Sequence, residues 1–145
     1  MRHLAIIAAG IGITACTAPA ADVPDFDAAL NAHIQSIYDR DLNAYTQTIS
    51  TRDPLPLILP NGTMLTTRQQ SIDLHKEWFS DPNWVQKQDV IYTHVNGEMA
   101  YATIRYSYQD TTKGEPRYTY LGLVFEVQGG TWRLIHDQNT RTTAP

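Results

Sequence analysis

Four polar residues stand in a row near the C-terminus: His136, Asp137, Gln138 and Asn139, inside the stretch TWRLIHDQNT that runs from Thr131 to Thr140. An imidazole that titrates near neutrality next to a carboxylate is what proton transfer needs. The stretch begins, however, as an alternating strand, and successive side chains of a strand point to opposite faces. Neighbours in sequence are therefore divided between the two sides of a sheet. Arg105 is a further candidate, because a guanidinium can hold an anion through two parallel bonds. Tyr38, Tyr45 and Tyr101 could supply hydroxyl donors. His33 and His75 fall in helical patterns, and no histidine pair has metal-ligand spacing, so no metal and no cofactor are expected. Cys16 is the sole cysteine, which excludes an intramolecular disulfide.

These residues need a scaffold, and its elements are readable. Apolar residues from Phe26 to Ile49 recur every three or four positions, with a break near the Asp39-Arg40-Asp41 triplet. That predicts a helix and then a second one capped by Asp41. LPLILPNGTMLT reads as a short hairpin around Asn61-Gly62. Thr67 and Gln70 form a capping box for a third helix, closed by Asp81-Pro82. Four strands follow, over 84–95, 98–109, 117–127 and 131–139, separated by Asn96-Gly97, a longer loop and Gly129-Gly130. The fold class is α+β, with helices on one side of a curved antiparallel meander.

Turn geometry assigns the faces. With Asn96-Gly97 and Gly129-Gly130 as two-residue turns, and the middle hairpin centred on its loop so that Thr103 stands beside Leu123 and Arg105 beside Leu121, one face collects Val90, Tyr92, His94, Met99, Tyr101, Leu121, Leu123, Phe125, Val127, Trp132 and Leu134. Gln88, Thr103, Arg105, His136 and Gln138 form the polar end of that face. The second face carries Ile91, Ala100, Ala102, Ile104, Tyr106, Tyr118, Tyr120, Val124, Ile135, Asp137 and Asn139. It is too apolar for open water and is expected to be covered. On this register no carboxylate of the long strands faces inward: Asp89, Glu98, Glu126 and Asp137 all point out.

LILPNGTMLTTRQQSIDLHKEWFSDPNW, followed by the closing WRLIHDQNT, resembles the SnoaL-like and DUF4440-like branch of the NTF2-like superfamily over residues 23–141. Members often end in Trp, a basic residue, two aliphatics, His-Asp-His and a small hydroxyl residue. Trp132 to Asp137 keep that order, Gln138 replaces the second His, and Thr140 fits the hydroxyl. The resemblance implies a cone enclosing a pocket between helices and sheet, and homodimers through the outer sheet face. The fold hosts isomerases, dehydratases, epoxide hydrolases and non-catalytic binding modules, so function has to come from the site. An isomerase of the ketosteroid kind needs an inward carboxylate. The epoxide hydrolases resemble an Asp-Arg-Asp relay, in which Arg105 could be the Arg.

With no inward carboxylate, the sequence predicts a non-catalytic binding protein of the cell envelope that takes a small, mostly apolar ligand with a polar or anionic end. Gln88, Tyr101, Thr103, Arg105, His136 and Gln138 would contact it, with Tyr38 and Tyr45 nearby. Whether it is an enzyme stays open. The alternative is a lyase or isomerase in which His136 acts with a tyrosine such as Tyr101. A formal charge of -4 without a basic cluster excludes nucleic acid as a partner. The N-terminal MRHLAIIAAGIGITAC reads as a secretory signal over 1–15 that ends in a lipobox. Cys16 would then be lipidated, with 16–22 as a linker. The expected location is the periplasmic side of a bacterial envelope, as an outer-membrane lipoprotein, or a secreted protein if a plain signal is cut.

Overall fold

A computed structural model describes residues 23–143. The signal segment and Cys16 lie outside the described residues. Helix α1 (Phe26–Tyr38) starts at Asp25, whose carboxylate accepts from the amides of Asp27 and Ala28. Helix α2 (Leu42–Thr48) starts at Asp41, which accepts from Ala44, as the break in periodicity predicts. Between them Arg40 takes a positive φ of 54°. Its guanidinium lies 3.9 Å over the Trp84 ring and donates to the Trp84 carbonyl at 2.6 Å. Strands β1 (Leu57–Ile58) and β2 (Met64–Leu65) form the hairpin. Helix α3 (Arg68–Ser80) carries the Thr67–Gln70 capping box in full.

The four long strands are β3 (Val85–Asn96), β4 (Met99–Gln109), β5 (Arg117–Gln128) and β6 (Thr131–Thr142). The sheet has the order β2-β1-β6-β5-β4-β3. The hairpin is thus part of the sheet, and β1 runs parallel to β6 with Leu57 beside Asp137. The helices close one side. Phe26, Phe125 and Trp132 meet edge to face, with ring centroids 5.3 Å apart. The Trp132 indole donates to the Pro24 carbonyl at 2.7 Å. This cluster, at the β5–β6 turn, plugs one end of the cone. The opposite end is open.

Three features of register decide which side chains reach that open end. The loop of the β3–β4 hairpin is Gly97-Glu98 and not Asn96-Gly97, which still keeps His94 and Tyr101 on one face. Between β4 and β5, however, Ala102 and not Thr103 stands beside Leu123. A slip of one residue reverses every side chain. Ala100, Ala102, Ile104 and Tyr106 are buried inward. Met99, Tyr101, Thr103 and Arg105 face out, which corrects the sequence-based face assignment. A bulge at Ile91 separates the Val90–Ile104 pair from the Tyr92–Thr103 pair and turns Tyr92 and His94 outward. A second bulge sets Leu134, Ile135 and His136 of β6 against only Phe125 and Val124 of β5. Before it Trp132 and Leu134 point inward, as expected. After it the alternation inverts: Asp137, Asn139 and Arg141 point inward, and His136, Gln138 and Thr140 point outward.

Candidate active site

The open end of the cone is a cavity of about 310 Å³. Ile37 of α1, Leu74 and Trp78 of α3, Leu57 and Leu59 of the hairpin and Leu121 of β5 make its apolar wall. Asp137, Asn139, Tyr106, His75, Gln86, Gln88 and Thr119 bring polar groups into it. Arg117 and Arg141 stand among its lining residues as well.

Asp137 is fixed on three sides. Its backbone N–H donates to the Pro56 carbonyl at 3.1 Å, which ties β6 to the segment leading into β1. Its Oδ1 accepts from Asn139 Nδ2 at 2.7 Å. Asn139 Nδ2 also donates to the Ile58 carbonyl at 3.0 Å, and Asn139 Oδ1 accepts from the Tyr106 hydroxyl at 2.7 Å. Every polar atom of that amide is therefore committed, and the Asp137 carboxyl cannot swing. No hydrogen bond among the described residues reaches its Oδ2, which is left to the cavity. Burial raises the Asp137 carboxyl from the ordinary 3.8 to about 7, only partly opposed by the Asn139 bond. What surface it exposes faces the cavity, whose protein walls solvate a charge poorly. Tyr106 is also pushed up by burial, to about 12, so its hydroxyl stays a donor.

His75 is the second titratable group on the wall. Its Nδ1 lies 2.8 Å from the Ser71 carbonyl. A carbonyl only accepts, so Nδ1 carries the proton and Nε2 keeps a lone pair. The ring stacks on Tyr45 with centroids 3.8 Å apart. Burial lowers it from 6.5 to about 4, so it is neutral at physiological pH. The Asp is shifted up and the His down. The site thus offers an acid that holds its proton near neutrality and an imidazole that does not charge, two roles separated by environment.

The sequence-predicted contacts divide. Gln88 lines the cavity, where its Oε1 is buried without a hydrogen-bond partner. Tyr38 stands behind it and accepts from the Gln88 backbone N–H at 2.7 Å. Tyr45 is fully buried, holding Ser71 Oγ at 2.7 Å and backing His75. The remaining five lie on the opposite face. Tyr101, Thr103, His136 and Gln138 border a shallow outer depression. Tyr101 lies across Gly122, its ring 3.6 Å from where a Cβ would stand, and receives a 2.7 Å bond from Thr103. Arg105 pairs with Asp89 at 3.3 Å, outside the cavity. The expectation that no carboxylate faces inward is overturned by Asp137. Sequence reasoning missed Asp137, Asn139, Tyr106 and Arg141. For Tyr106 a signal existed: Ala102, Ile104 and Tyr106 alternate with Thr103, Arg105 and Ser107, which marks the apolar parity as the inner one.

A family model, SnoaL-like domain, matches residues 27–139. The chain belongs to the SnoaL-like domain family. No curated protein matches its sequence. Solved structures share the fold at low identity. A candidate dehydratase from the NTF2-like family of Streptomyces avermitilis is 15% identical with a TM-score of 0.71, covering 85% of this chain and 97% of that one. A candidate calcium/calmodulin-dependent protein kinase type II association domain from Thiobacillus denitrificans is 14% identical with a TM-score of 0.72, covering 83% and 97%. A candidate ketosteroid isomerase from Shewanella frigidimarina is 12% identical with a TM-score of 0.67, covering 78% and 92%. The architecture is the NTF2-like cone, and in this SnoaL-like chain the β6 bulge aims a carboxyl into it.

Proposed function

We propose that this SnoaL-like protein is an acid–base enzyme, a lyase or isomerase acting on a small, mostly apolar molecule with a polar end. Asp137 takes the catalytic role that the alternative reading of the sequence gave to His136. The observation that carries this reading is the Asp137 carboxyl itself: one oxygen anchored by Asn139, the other free toward an apolar cavity. A carboxylate so placed removes a proton from a carbon beside a carbonyl and returns it to a neighbouring atom, or, protonated, delivers it to a departing hydroxyl. Neutral His75 offers an acceptor for a ligand hydroxyl. The similarity in fold to a candidate dehydratase and a candidate ketosteroid isomerase is consistent with this class of chemistry. A binding module without catalysis is the second reading, favoured by the largely aliphatic and aromatic wall.

The two separate in one measurement. Enolisable ketones and β-hydroxy ketones are incubated with the protein in deuterated buffer and followed by proton NMR. Deuterium uptake or loss of water should exceed background and should fall at least about a hundredfold in Asp137→Asn. Equal rates in the two proteins would remove Asp137 from any catalytic role.

We also propose that the outer sheet face pairs with a second copy of the chain. Tyr92, Met99, Tyr101 and Tyr120 are exposed there, an apolar patch of the kind that marks an interface. Light scattering should give a dimer mass, and Tyr120→Glu should shift it to the monomer. A monomeric native protein at micromolar concentration ends this idea.

A further inference from the structure

The cavity lining holds one carboxyl group, Asp137, and two guanidinium groups, Arg117 and Arg141. Their states differ. Arg117 donates both terminal nitrogens to Asp110, at 2.7 and 2.8 Å, and lies over the Tyr108 ring. Its charge and its fork are taken. The three ion pairs among the described residues are Arg52–Glu126, Arg105–Asp89 and Arg117–Asp110, and Arg141 stands in none of them. Arg141 shares the inward parity of Asp137 and Asn139 on β6 and pairs with Thr119 of β5, an uncharged neighbour. Tyr106, the other titratable group beside it, keeps its proton. An unpaired guanidinium at a cavity whose walls are otherwise apolar or neutral is a ready partner for an anion.

The geometry points to a carboxylate-bearing small molecule as the ligand class, with Arg141 as the residue that selects it: the carboxylate binds at Arg141 and the reacting part lies toward Asp137. Four residues separate the two along one strand, about 13 Å at about 3.3 Å per residue, and the arginine side chain can fold back over part of that span. A single unpaired cation matches a monoanion. A phosphate dianion would bring a second negative charge that no other free group on the wall can answer. Trp78 and Tyr108 line the same cavity and give a planar apolar body a surface to lie on. This inference rests on the cavity being a ligand site, as proposed above, but not on catalysis.

The test uses hydrocinnamate and its uncharged amide, which match in shape and differ in charge, titrated calorimetrically into the full-length protein. The native protein should bind the carboxylate at least about tenfold more tightly than the amide, a difference of about 1.4 kcal/mol. Arg141→Met should abolish that preference while binding of the amide is unchanged, which also shows that the variant is folded. Arg141→Lys should restore part of it. Equal binding of the two probes by the native protein overturns the proposal, as does a preference that survives in Arg141→Met, or no binding of either probe at millimolar concentration. Asp137→Asn should keep the charge preference while losing turnover. The arginine assignment and the acid–base assignment therefore fail separately.

Discussion

Asp137→Asn should raise the stability of the protein at pH 8 and give no gain at pH 4. Most replacements of a buried, hydrogen-bonded residue destabilise. This one should behave otherwise because the native carboxyl is held at about 7, against 3.8 for an ordinary aspartate, chiefly by burial. Below about pH 4 the group is protonated in both states and contributes fully. As pH rises from there to about 7 the unfolded chain releases the proton and the folded one keeps it, so stability is lost across that window. By pH 8 the folded protein carries a desolvated charge that costs roughly 2 to 4 kcal/mol. Asparagine is neutral at every pH and close in shape to the protonated acid. Its oxygen can still accept from Asn139 Nδ2, so the Tyr106–Asn139 network survives. Chemical denaturation of the two proteins at both pH values measures this directly. If the variant is less stable by the same amount at pH 4 and pH 8, Asp137 is an ordinary structural aspartate. A site that improves stability when disarmed has been held for function, since active sites commonly carry such strain.

The elements were legible because each has a local cause. Asp25, Asp41 and Thr67 cap helices by rules that act within four residues. Glycines at 129 and 130, both at positive φ, suit the tight turn that set Val127 opposite Trp132 as read from the sequence. The site was less legible because it depends on three single-residue events. A one-residue shift in the pairing of β4 with β5, across the long loop between them, inverted β4, although the polar parity of Thr103, Arg105 and Ser107 was a correct hint. The bulges at Ile91 and Ile135 leave no local signature, since an extra residue in a strand is defined by its partner. Downstream of Ile135 the whole catalytic reading exchanges sides: His136 and Gln138 leave the cavity and Asp137 and Asn139 enter it. The family's His-Asp pair is thus split by the sheet, and only its second member lines the cavity.

Acid should destabilise this protein between pH 7 and pH 5, with the largest share coming from two buried imidazoles, His33 and His75. His33 Nδ1 lies 2.8 Å from Thr48 Oγ1. That hydroxyl already donates to the Tyr45 carbonyl, so it accepts from the ring, and His33 Nε2 is left bare. Tyr45 and Phe125 pack around it, the latter edge-on at 5.8 Å. Protonation would place a cation where no acceptor awaits it, and burial, with a smaller repulsion from His75, lowers His33 to about 3. His75, between Tyr45, Trp78 and Phe79, meets the same fate at about 4. Both folded values lie below the unfolded 6.5. Their contribution is therefore complete above that pH and is lost as pH falls toward the folded values, each at about 1.4 kcal/mol per pH unit. Asp137 works in the opposite direction over the same range, so the native protein should lose stability at about the rate of one proton and not two. Asp137→Asn removes the offset and should steepen the loss to about two protons, and His33→Leu should return it toward one. Urea midpoints taken in steps from pH 7 to pH 5 give these slopes. A stability independent of pH in Asp137→Asn would mean that neither histidine is held neutral by the core.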